Sequence, residues 1–411
     1  MNFVKMMTSQ GVPIYACCVP SMKSVSLYAV IKAGTCDEIW SKEAGLAHAM
    51  EHMVFRGTED FANSQKLSAY IENTGGWINA STSKAWTCFK SCVPLIHIEK
   101  SVHFLSQMIR KPLFRAEDIS LEMKAVVQEI RRRNDDPRTL LINKYTREIF
   151  DKNPLGLDTL GIEDSVLHFK TADFQKWQNK FYHPGNLTFF VIGNFKEDEI
   201  KKLLEKYFPE NILLENNQRT IAPIKAVKKY KHFYKDIEQA HLVFGALTPE
   251  CNHPDHWPLE VFESMICGGS SSPLFQEVRD KRGLAYTAYA CHWIYNGVSL
   301  FMTYIGTDPK KVKEVLKVSL EEVITKSRGS SSLMDVAKEM MIGQLTLSSD
   351  SPQKALGMTL DDINVANKIT TLEEKIEKIQ SVTIQQVSQA VEKYLLDENR
   401  RVTVILGPKD K

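Results

Sequence analysis

The stretch His48-Ala-Met-Glu51-His52 combines the residue types and the spacing of a hydrolytic metal site. Residues four apart lie on one face of an α-helix, so His48 and His52 can both coordinate a single metal ion. Glu51 lies beside that face, where its carboxylate can accept a proton from water activated by the metal. Two histidines at this spacing also occur on helices that bind no metal, and the pair alone leaves both interpretations open.

A catalytic zinc ion usually takes three protein ligands and leaves one position for water, so the motif needs a third ligand. Residues 121–133 predict an amphipathic helix, because Met123, Val126 and Ile130 recur at helical spacing. Glu122 and Glu129 are seven residues apart, which puts both on one face of that helix. That face either points at the metal or is a solvated charged surface, and spacing alone favours the solvated surface.

Short strands and helices alternate along both halves of the chain, and these elements must position the motif. The first half predicts strands at 25–33, 77–93 and 187–193 and helices at 44–55, 64–73, 97–109, 117–134 and 138–150. The second half predicts strands at 240–246, 286–293 and 402–407 and helices at 255–267, 272–282, 309–326, 332–348 and 384–395. Strands that begin at Ser24 and Gln239 are 215 residues apart, as are those that begin at Leu187 and Val402, which indicates a duplication. A polar stretch centred on Asn217 separates the halves.

The composition is that of a globular chain of two or three domains, with 411 residues, 43% of them hydrophobic and 25% charged. A formal net charge of +2 predicts no general attraction to nucleic acid or to an anionic membrane. No apolar run approaches the roughly 18 residues that span a bilayer, and residues 1–10 are unlike a secretory signal or a transit segment. The expected location is therefore the cytoplasm, with the eight cysteines reduced.

No chemical role is predicted for the glycine- and serine-rich stretch at 268–272 or for three of the remaining histidines. Gly268-Gly-Ser-Ser-Ser272 lacks the lysine that ends a phosphate loop, so it is expected to be a loop that opens the next helix. Among the remaining histidines, His241 falls in a predicted strand, while His253 and His256 precede Trp257. None of these three shows partners at ligand spacing, and no role is predicted for them.

The motifs and their order resemble the pitrilysin/insulinase family of zinc metallopeptidases, whose H-x-x-E-H pattern is typical of inverzincins. The matching stretches lie in both halves of the chain, in the family's order: 45–58, 75–82, 122–129, 181–193 and 271–286. In that family a glutamate 77 residues beyond the second histidine completes the zinc site, and here that residue is Glu129. A second glutamate seven residues earlier supports the site, which is Glu122 here. The resemblance implies one Zn²⁺ per chain, held by His48, His52 and Glu129, with Glu51 as the general base.

The resemblance also implies a substrate site and a partner. Asn79 and the backbone of Ala80 lie in what looks like the family's active-site strand, which would hold an extended peptide as an added strand. Arg279 and Tyr286 look like the family's arginine–tyrosine pair, two donors suited to the substrate carbonyl or to an oxyanion. In members made of separate subunits, this pair reaches the zinc of the facing subunit. Because this chain carries both sets of residues, a homodimer is expected, and a heterodimer is the alternative.

The implied fold is α+β, with two similar domains, each a mainly antiparallel sheet backed by helices, that together form half of a clamshell. Residues 1–215 are the expected zinc-binding domain, 216–229 the linker, and 230–411 the similar domain with the arginine–tyrosine pair, as in the branch of the mitochondrial processing peptidases. The expected function is a zinc endopeptidase that hydrolyses short, extended peptides in an enclosed chamber. The alternatives are a processing peptidase for one leader or precursor and a peptide-binding subunit without catalysis. Ala85 stands where many relatives have glutamate, which leaves the peptide preference open.

Overall fold

The structure is a computed structural model, and it describes residues 3–210, 224–366 and 368–409. Within these residues, eleven strands form two sheets. The first sheet contains β1 (Val4–Met7), β2 (Pro13–Cys18), β3 (Ser24–Ile31), β4 (Trp77–Thr82), β5 (Thr87–Pro94) and β6 (Leu187–Gly193). The second contains β7 (Lys229–Tyr234), β8 (Ala240–Thr248), β9 (Ala285–Tyr295), β10 (Val298–Thr307) and β11 (Val402–Gly407).

The two sheets share one strand order. The first runs β1-β2-β6-β3-β5-β4 and the second β7-β11-β8-β10-β9, so the second repeats the first without its outer β1 strand. Each sheet has one parallel pair, β2 with β6 and β7 with β11, and is otherwise antiparallel. The predicted α+β fold with two similar, mainly antiparallel sheets is confirmed, and the shared order supports the duplication.

Helices connect the strands in both halves. The α-helices of the described residues are α1 (Trp40–Glu43), α2 (Leu46–Met53), α3 (Ser64–Glu72), α4 (Ile98–Arg110), α5 (Ala116–Asp135), α6 (Pro137–Phe150), α7 (Glu163–His168), α8 (Thr171–Phe181), α9 (Glu197–Tyr207), α10 (His256–Cys267), α11 (Pro273–Phe275), α12 (Val312–Val318), α13 (Ser331–Ser349), α14 (Pro352–Asp361), α15 (Leu372–Ser381) and α16 (Ile384–Val391). Four π-helical stretches continue α11, α12, α14 and α16: Gln276–Asp280, Ser319–Thr325, Asp362–Ala366 and Glu392–Leu396. None of the helices in the described ranges has the length and apolar character needed to cross a membrane.

Each sheet packs against its own apolar core. Strand β6 is buried along its whole length, as its apolar sequence predicts, and so is β10, for which no strand was predicted. Phenylalanines fill both cores: Phe89, Phe104, Phe174 and Phe189 in the first, and Phe244, Phe262 and Phe301 in the second. A buried polar residue, Asn186, precedes β6, and its Nδ2 donates to the carbonyl oxygens of Lys32 and Phe181 at 3.1 Å each. These bonds tie the start of β6 to the end of β3 and to α8.

The chain forms two compact units whose boundaries differ from the predicted domains. Among the described residues, unit 1 comprises 3–133, 157–210 and 351–360, and unit 2 comprises 134–156, 224–350, 361–366 and 368–409. Residues 134–156, predicted in the N-terminal domain, join unit 2 because α6 packs on β8 and β11 and buries Leu141, Tyr145 and Ile149. Residues 351–360, predicted in the C-terminal domain, join unit 1. Of the predicted linker 216–229, residues 216–223 with Asn217 lie outside the described residues, and Lys229 already begins β7.

Candidate metal centre

Helix α2 carries the two motif histidines, and a buried carboxylate fixes its N-terminus. Glu38 accepts a hydrogen bond from the backbone N–H of Gly45 through Oε2 (3.0 Å) and one from that of Ala47 through Oε1 (2.9 Å). Gly45 has a φ of 92°, a left-handed conformation that favours glycine, and a Cβ there would lie 2.5 Å from the carbonyl oxygen of Leu160. These contacts fix the start of the helix and with it the direction of its histidines.

Glu129 on α5 completes a group of three potential metal ligands with the two histidines. Its Oε2 atom lies 3.7 Å from Nε2 of His48 and 3.7 Å from Nε2 of His52. Zinc–ligand bonds of about 2.1 Å in a tetrahedral arrangement separate neighbouring ligand atoms by roughly 3.4 Å. The three side chains therefore fit a zinc ion after only small shifts. Helix α5 buries the apolar face predicted for it, which leaves Glu129 free to point at the histidines.

Glu122 lies between His52 and an arginine. Its Oε1 atom is 2.8 Å from Nδ1 of His52, and its Oε2 atom is 3.2 Å from Nη1 of Arg56. A carboxylate on the far ring nitrogen selects the tautomer that presents Nε2 to a metal. Arg56 also contacts Asp118 at 3.6 Å, so Glu122 is held through a short chain of charges. Nδ1 of His48 has no hydrogen-bond partner among the described residues, so this support reaches one histidine of the two.

The carboxyl group of Glu51 is held by a strand rather than by its own helix. Its Oε2 atom accepts a hydrogen bond from the hydroxyl of Thr82, at the end of β4. Burial raises the pKa of Glu51, and the Thr82 hydrogen bond and the charge of His52 oppose that rise. The proton acceptor predicted from the motif is thus tied to the strand predicted to hold the substrate.

Burial and nearby charges set the pKa values of His48 and His52. It lowers the pKa of His48 to about 3, with smaller contributions from His52 and Arg133. Burial also lowers the pKa of His52. The hydrogen bond to Glu122 and the negative charges of Glu122 and other nearby carboxylates raise it by more, so the pKa of His52 is raised overall. His48 is therefore a neutral imidazole at neutral pH, the form that coordinates a metal.

Strand β4 lies at the edge of the first sheet and, among the described residues, pairs only with β5. Asn79 is exposed, and its Oδ1 atom accepts a hydrogen bond of 2.8 Å from the N–H of Ala80. That N–H is therefore not used by the β5 ladder. Ala85 lies in the β4–β5 connection, and its N–H donates to the Ser83 hydroxyl at 3.2 Å. An edge strand with an available backbone is the geometry required for pairing with an extended peptide.

Arg279 and Tyr286, the predicted donor pair, are in contact in unit 2. The guanidinium carbon of Arg279 lies 4.5 Å from the centroid of the Tyr286 ring and 4.6 Å from that of Phe275. Gly283 has a φ of 55°, and its N–H donates to the carbonyl of Arg279 at 2.9 Å, so it ends this helical segment as predicted. The Tyr286 side chain is 76% exposed, which leaves its hydroxyl accessible.

Thr82 and Arg56 lie beside the candidate metal ligands, and the sequence analysis predicted no role for either. Side chains alternate along a strand, so Thr82 lies on the same face of β4 as Ala80. That spacing could have predicted a place for Thr82 near the site. Arg56 lies beyond the end of α2 at Met53, so helical spacing from His52 does not point to it. The contact of Arg56 with Glu122 depends on how α2 and α5 pack, which spacing does not reveal.

Sequence profiles match both halves of the chain. The profile of Insulinase (Peptidase family M16) matches residues 19–163, and that of the Peptidase M16 inactive domain matches residues 168–341. The first range contains the metal-ligand group, and the second contains Arg279 and Tyr286. The repeated α+β fold and the histidine–histidine–glutamate group define the class of two-domain M16 peptidase folds. The chain belongs to the pitrilysin/insulinase family, M16.

Similar proteins are named uncharacterized zinc proteases. Those of Mycobacterium tuberculosis (27% identical over 399 residues, 95% of this chain and 90% of the relative) and Bacillus subtilis (27% over 371 residues, 90% of each) are examples. The peptidase M16 inactive domain from Pseudomonas fluorescens has a TM-score of 0.90 at 19% identity, over 100% of this chain and 98% of that one. A protease from Helicobacter pylori has a TM-score of 0.88 at 20% identity, over 99% of each chain. At these identities, the structural likeness establishes the fold.

Proposed function

We propose that the chain is a zinc-dependent endopeptidase that hydrolyses short, extended peptides. The observation that carries the proposal is the convergence of His48, His52 and Glu129, with the carboxyl group of Glu51 on the same helix turn. Two histidines and one glutamate are a donor set used by catalytic zinc sites in peptidases. The zinc proteases among the similar proteins support the choice of metal.

The side chains around the group divide the chemistry of hydrolysis. A zinc ion bound there would polarise the scissile carbonyl and lower the pKa of water to about 7. Glu51 accepts the proton of the attacking water and later donates it to the departing amine nitrogen. The hydroxyl of Thr82 orients the Glu51 carboxyl group, and Glu122 keeps His52 in the tautomer that presents Nε2.

The edge strand β4 selects the substrate. A peptide that pairs with the backbone at Ala80 must be extended, and Asn79 would release its bond to the Ala80 N–H when the peptide binds. Most of the backbone of a folded protein is already paired or buried, so short or unfolded peptides are the expected substrates. A peptide-library digest would separate general clearance from processing, since a single sharp consensus indicates one dedicated precursor.

Arg279 and Tyr286 supply two donors for the substrate carbonyl, and we propose that they act on the metal group of a second copy of the chain. The proposal is supported by the presence of both sets of residues in one chain. Mixing the Glu51→Gln chain with the Tyr286→Phe chain tests it, because a mixed dimer would contain one complete site. Recovery of activity in the mixture indicates action between subunits, and no recovery after verified subunit exchange contradicts it.

The function is tested by measuring cleavage of a mixed peptide pool and bound zinc for the native chain and for Glu51→Gln. We expect equal zinc contents and a loss of activity of roughly 10²–10⁴-fold, the usual contribution of general acid–base catalysis. Glu72→Gln, the same change at an exposed position on α3, is the matched control. Zinc binding without cleavage by the native chain would contradict the proposal and favour a peptide-binding subunit.

A further inference from the structure

A second group of potential metal ligands lies in unit 2. His256 and Glu260 are one turn apart on α10, and His292 comes from β9. One nitrogen or oxygen of each side chain lies within 4.8 Å of the others, as in the group on α2. The prediction that His256 has no partner at ligand spacing is wrong. Glu260 stands four residues further along the helix, and the fold of unit 2 adds a histidine 36 residues away in the sequence.

The second group is buried, and one of its inner polar atoms lacks a hydrogen-bond partner among the described residues. His256 is 3% exposed and the side chain of His292 only 1%. The side chain of Glu260 is 22% exposed, but its Oε1 atom is buried. Among the described residues, Nδ1 of His256 has no hydrogen-bond partner, whereas Oε1 of Glu260 and Nδ1 of His292 lie 2.7 Å from each other. A buried polar atom without a partner costs about 1–3 kcal/mol, and a cation shared with the Glu260–His292 pair would give Nδ1 of His256 a partner.

The directions of the polar atoms favour a cation in the second group. Nδ1 of His292 lies 2.7 Å from Oε1 of Glu260, the distance of an ion pair. The other ring nitrogen of His292 lies 2.7 Å from the hydroxyl oxygen of Thr248. If Nε2–H donates to Thr248, the lone pair of Nδ1 faces the carboxylate, as in a metal-binding histidine whose far nitrogen is hydrogen-bonded. A tetrahedral ion requires ligand atoms roughly 3.4 Å apart, so this pair would open by about 0.7 Å.

The second group occupies the position in unit 2 that corresponds to the first group in unit 1. Because the sheets share one strand order, β8 corresponds to β3 and the edge strand β9 to β4. Helix α10 follows β8 and packs on β9, as α2 follows β3 and packs on β4. One difference matters for chemistry. Three residues beyond His48 stands Glu51, whereas three residues beyond His256 stands the apolar Leu259.

We propose that His256, Glu260 and His292 bind a second zinc ion that stabilises unit 2. Imidazole nitrogens with one carboxylate suit zinc better than magnesium or calcium, which prefer oxygen ligands. Leu259 cannot accept a proton, so this site lacks the general base of the first group and links α10 to β9 without catalysing hydrolysis. The inference is independent of the proposed peptidase activity, because it concerns metal binding in unit 2.

The proposal is tested by counting zinc in purified, desalted protein. The native chain should hold two zinc ions, and the His48→Ala/His52→Ala chain, which leaves unit 2 untouched, should hold one. Adding Glu260→Gln to that chain should remove the remaining zinc, whereas adding Glu250→Gln, at an exposed position, should not.

The melting temperature gives a second readout. Zinc added to the metal-free His48→Ala/His52→Ala chain should raise the melting temperature, and Glu260→Gln should abolish the rise. The proposal is overturned if the His48→Ala/His52→Ala chain is folded by circular dichroism yet binds no zinc. It is also overturned if the zinc content and the melting shift are the same with and without Glu260→Gln. Either result would mean that the three side chains form only a buried ion pair with an added histidine.

Discussion

Replacing Glu122 by glutamine should weaken zinc binding at the group on α2 without unfolding unit 1. The two carboxylate oxygens of Glu122 serve two donors, the Nδ1–H of His52 at 2.8 Å and a guanidinium nitrogen of Arg56 at 3.2 Å. A carboxamide has one acceptor oxygen and one NH₂ group. Glutamine can therefore satisfy one donor but must point its own N–H groups at the other.

The magnitude follows from the lost contact. A hydrogen bond to a charged group contributes about 1.5–3 kcal/mol when both partners are shielded from water. The Glu122 side chain is 15% exposed, so little of that contribution is screened by solvent. A carboxylate that supports a metal-binding histidine is commonly worth about 10–100-fold in metal affinity. The two figures agree, since 10–100-fold corresponds to about 1.4–2.7 kcal/mol.

The assay is competition for zinc between the metal-free protein and a chromogenic chelator. Both proteins should carry Glu260→Gln, so that the second group of ligands does not contribute to the titration. Glu117→Gln, at a position with 76% side-chain exposure on the same helix, is the matched control. Equal zinc affinities for Glu122→Gln and Glu117→Gln would refute the reasoning, provided that both chains keep the native melting temperature.

Three further predictions concern other buried groups. Burial raises the pKa of Glu38 from 4.5 to about 8, so its contribution to stability is complete below pH 4.5 and is lost as the pH rises through 8. Between pH 4.5 and 8, the free energy of unfolding of Glu38→Gln should therefore rise relative to that of the native chain by up to about 1.4 kcal/mol per pH unit. Urea unfolding measures this difference, and a difference that does not vary with pH would contradict the prediction. Asn186→Ala leaves two buried carbonyl groups without their donor and should cost about 2–3 kcal/mol in chemical unfolding, whereas Asn179→Ala on the exposed face of α8 should cost less than about 0.5 kcal/mol. Thr82→Val removes the hydroxyl that orients Glu51 and should lower kcat about 10-fold with zinc content unchanged, and an unaltered kcat would exclude that role.

Local patterns were sufficient to predict the elements that carry the site. Helix α5 was predicted at 117–134 and spans Ala116–Asp135, because apolar residues at helical spacing mark the buried face. Strand β6 was predicted at 187–193 and spans Leu187–Gly193, since a short apolar run of β-branched and aromatic residues permits little else. Neither pattern contains information about which sheet a helix will cover. For that reason α6 was assigned to the first domain although it packs on the second sheet.

The sequence by itself was sufficient to identify the family, because the motifs occur in the family's order along one chain. The repeated α+β fold and the candidate metal ligands followed from that resemblance, whereas spacing alone left the role of Glu129 open. The tertiary structure decided which side chains meet across elements. The contact of Thr82 with Glu51 joins residues 31 apart, and that of Glu122 with His52 joins residues 70 apart. His292 reaches His256 and Glu260 only because β9 packs on α10. Such contacts depend on the packing of whole elements, which fixes distances that no spacing along the chain specifies.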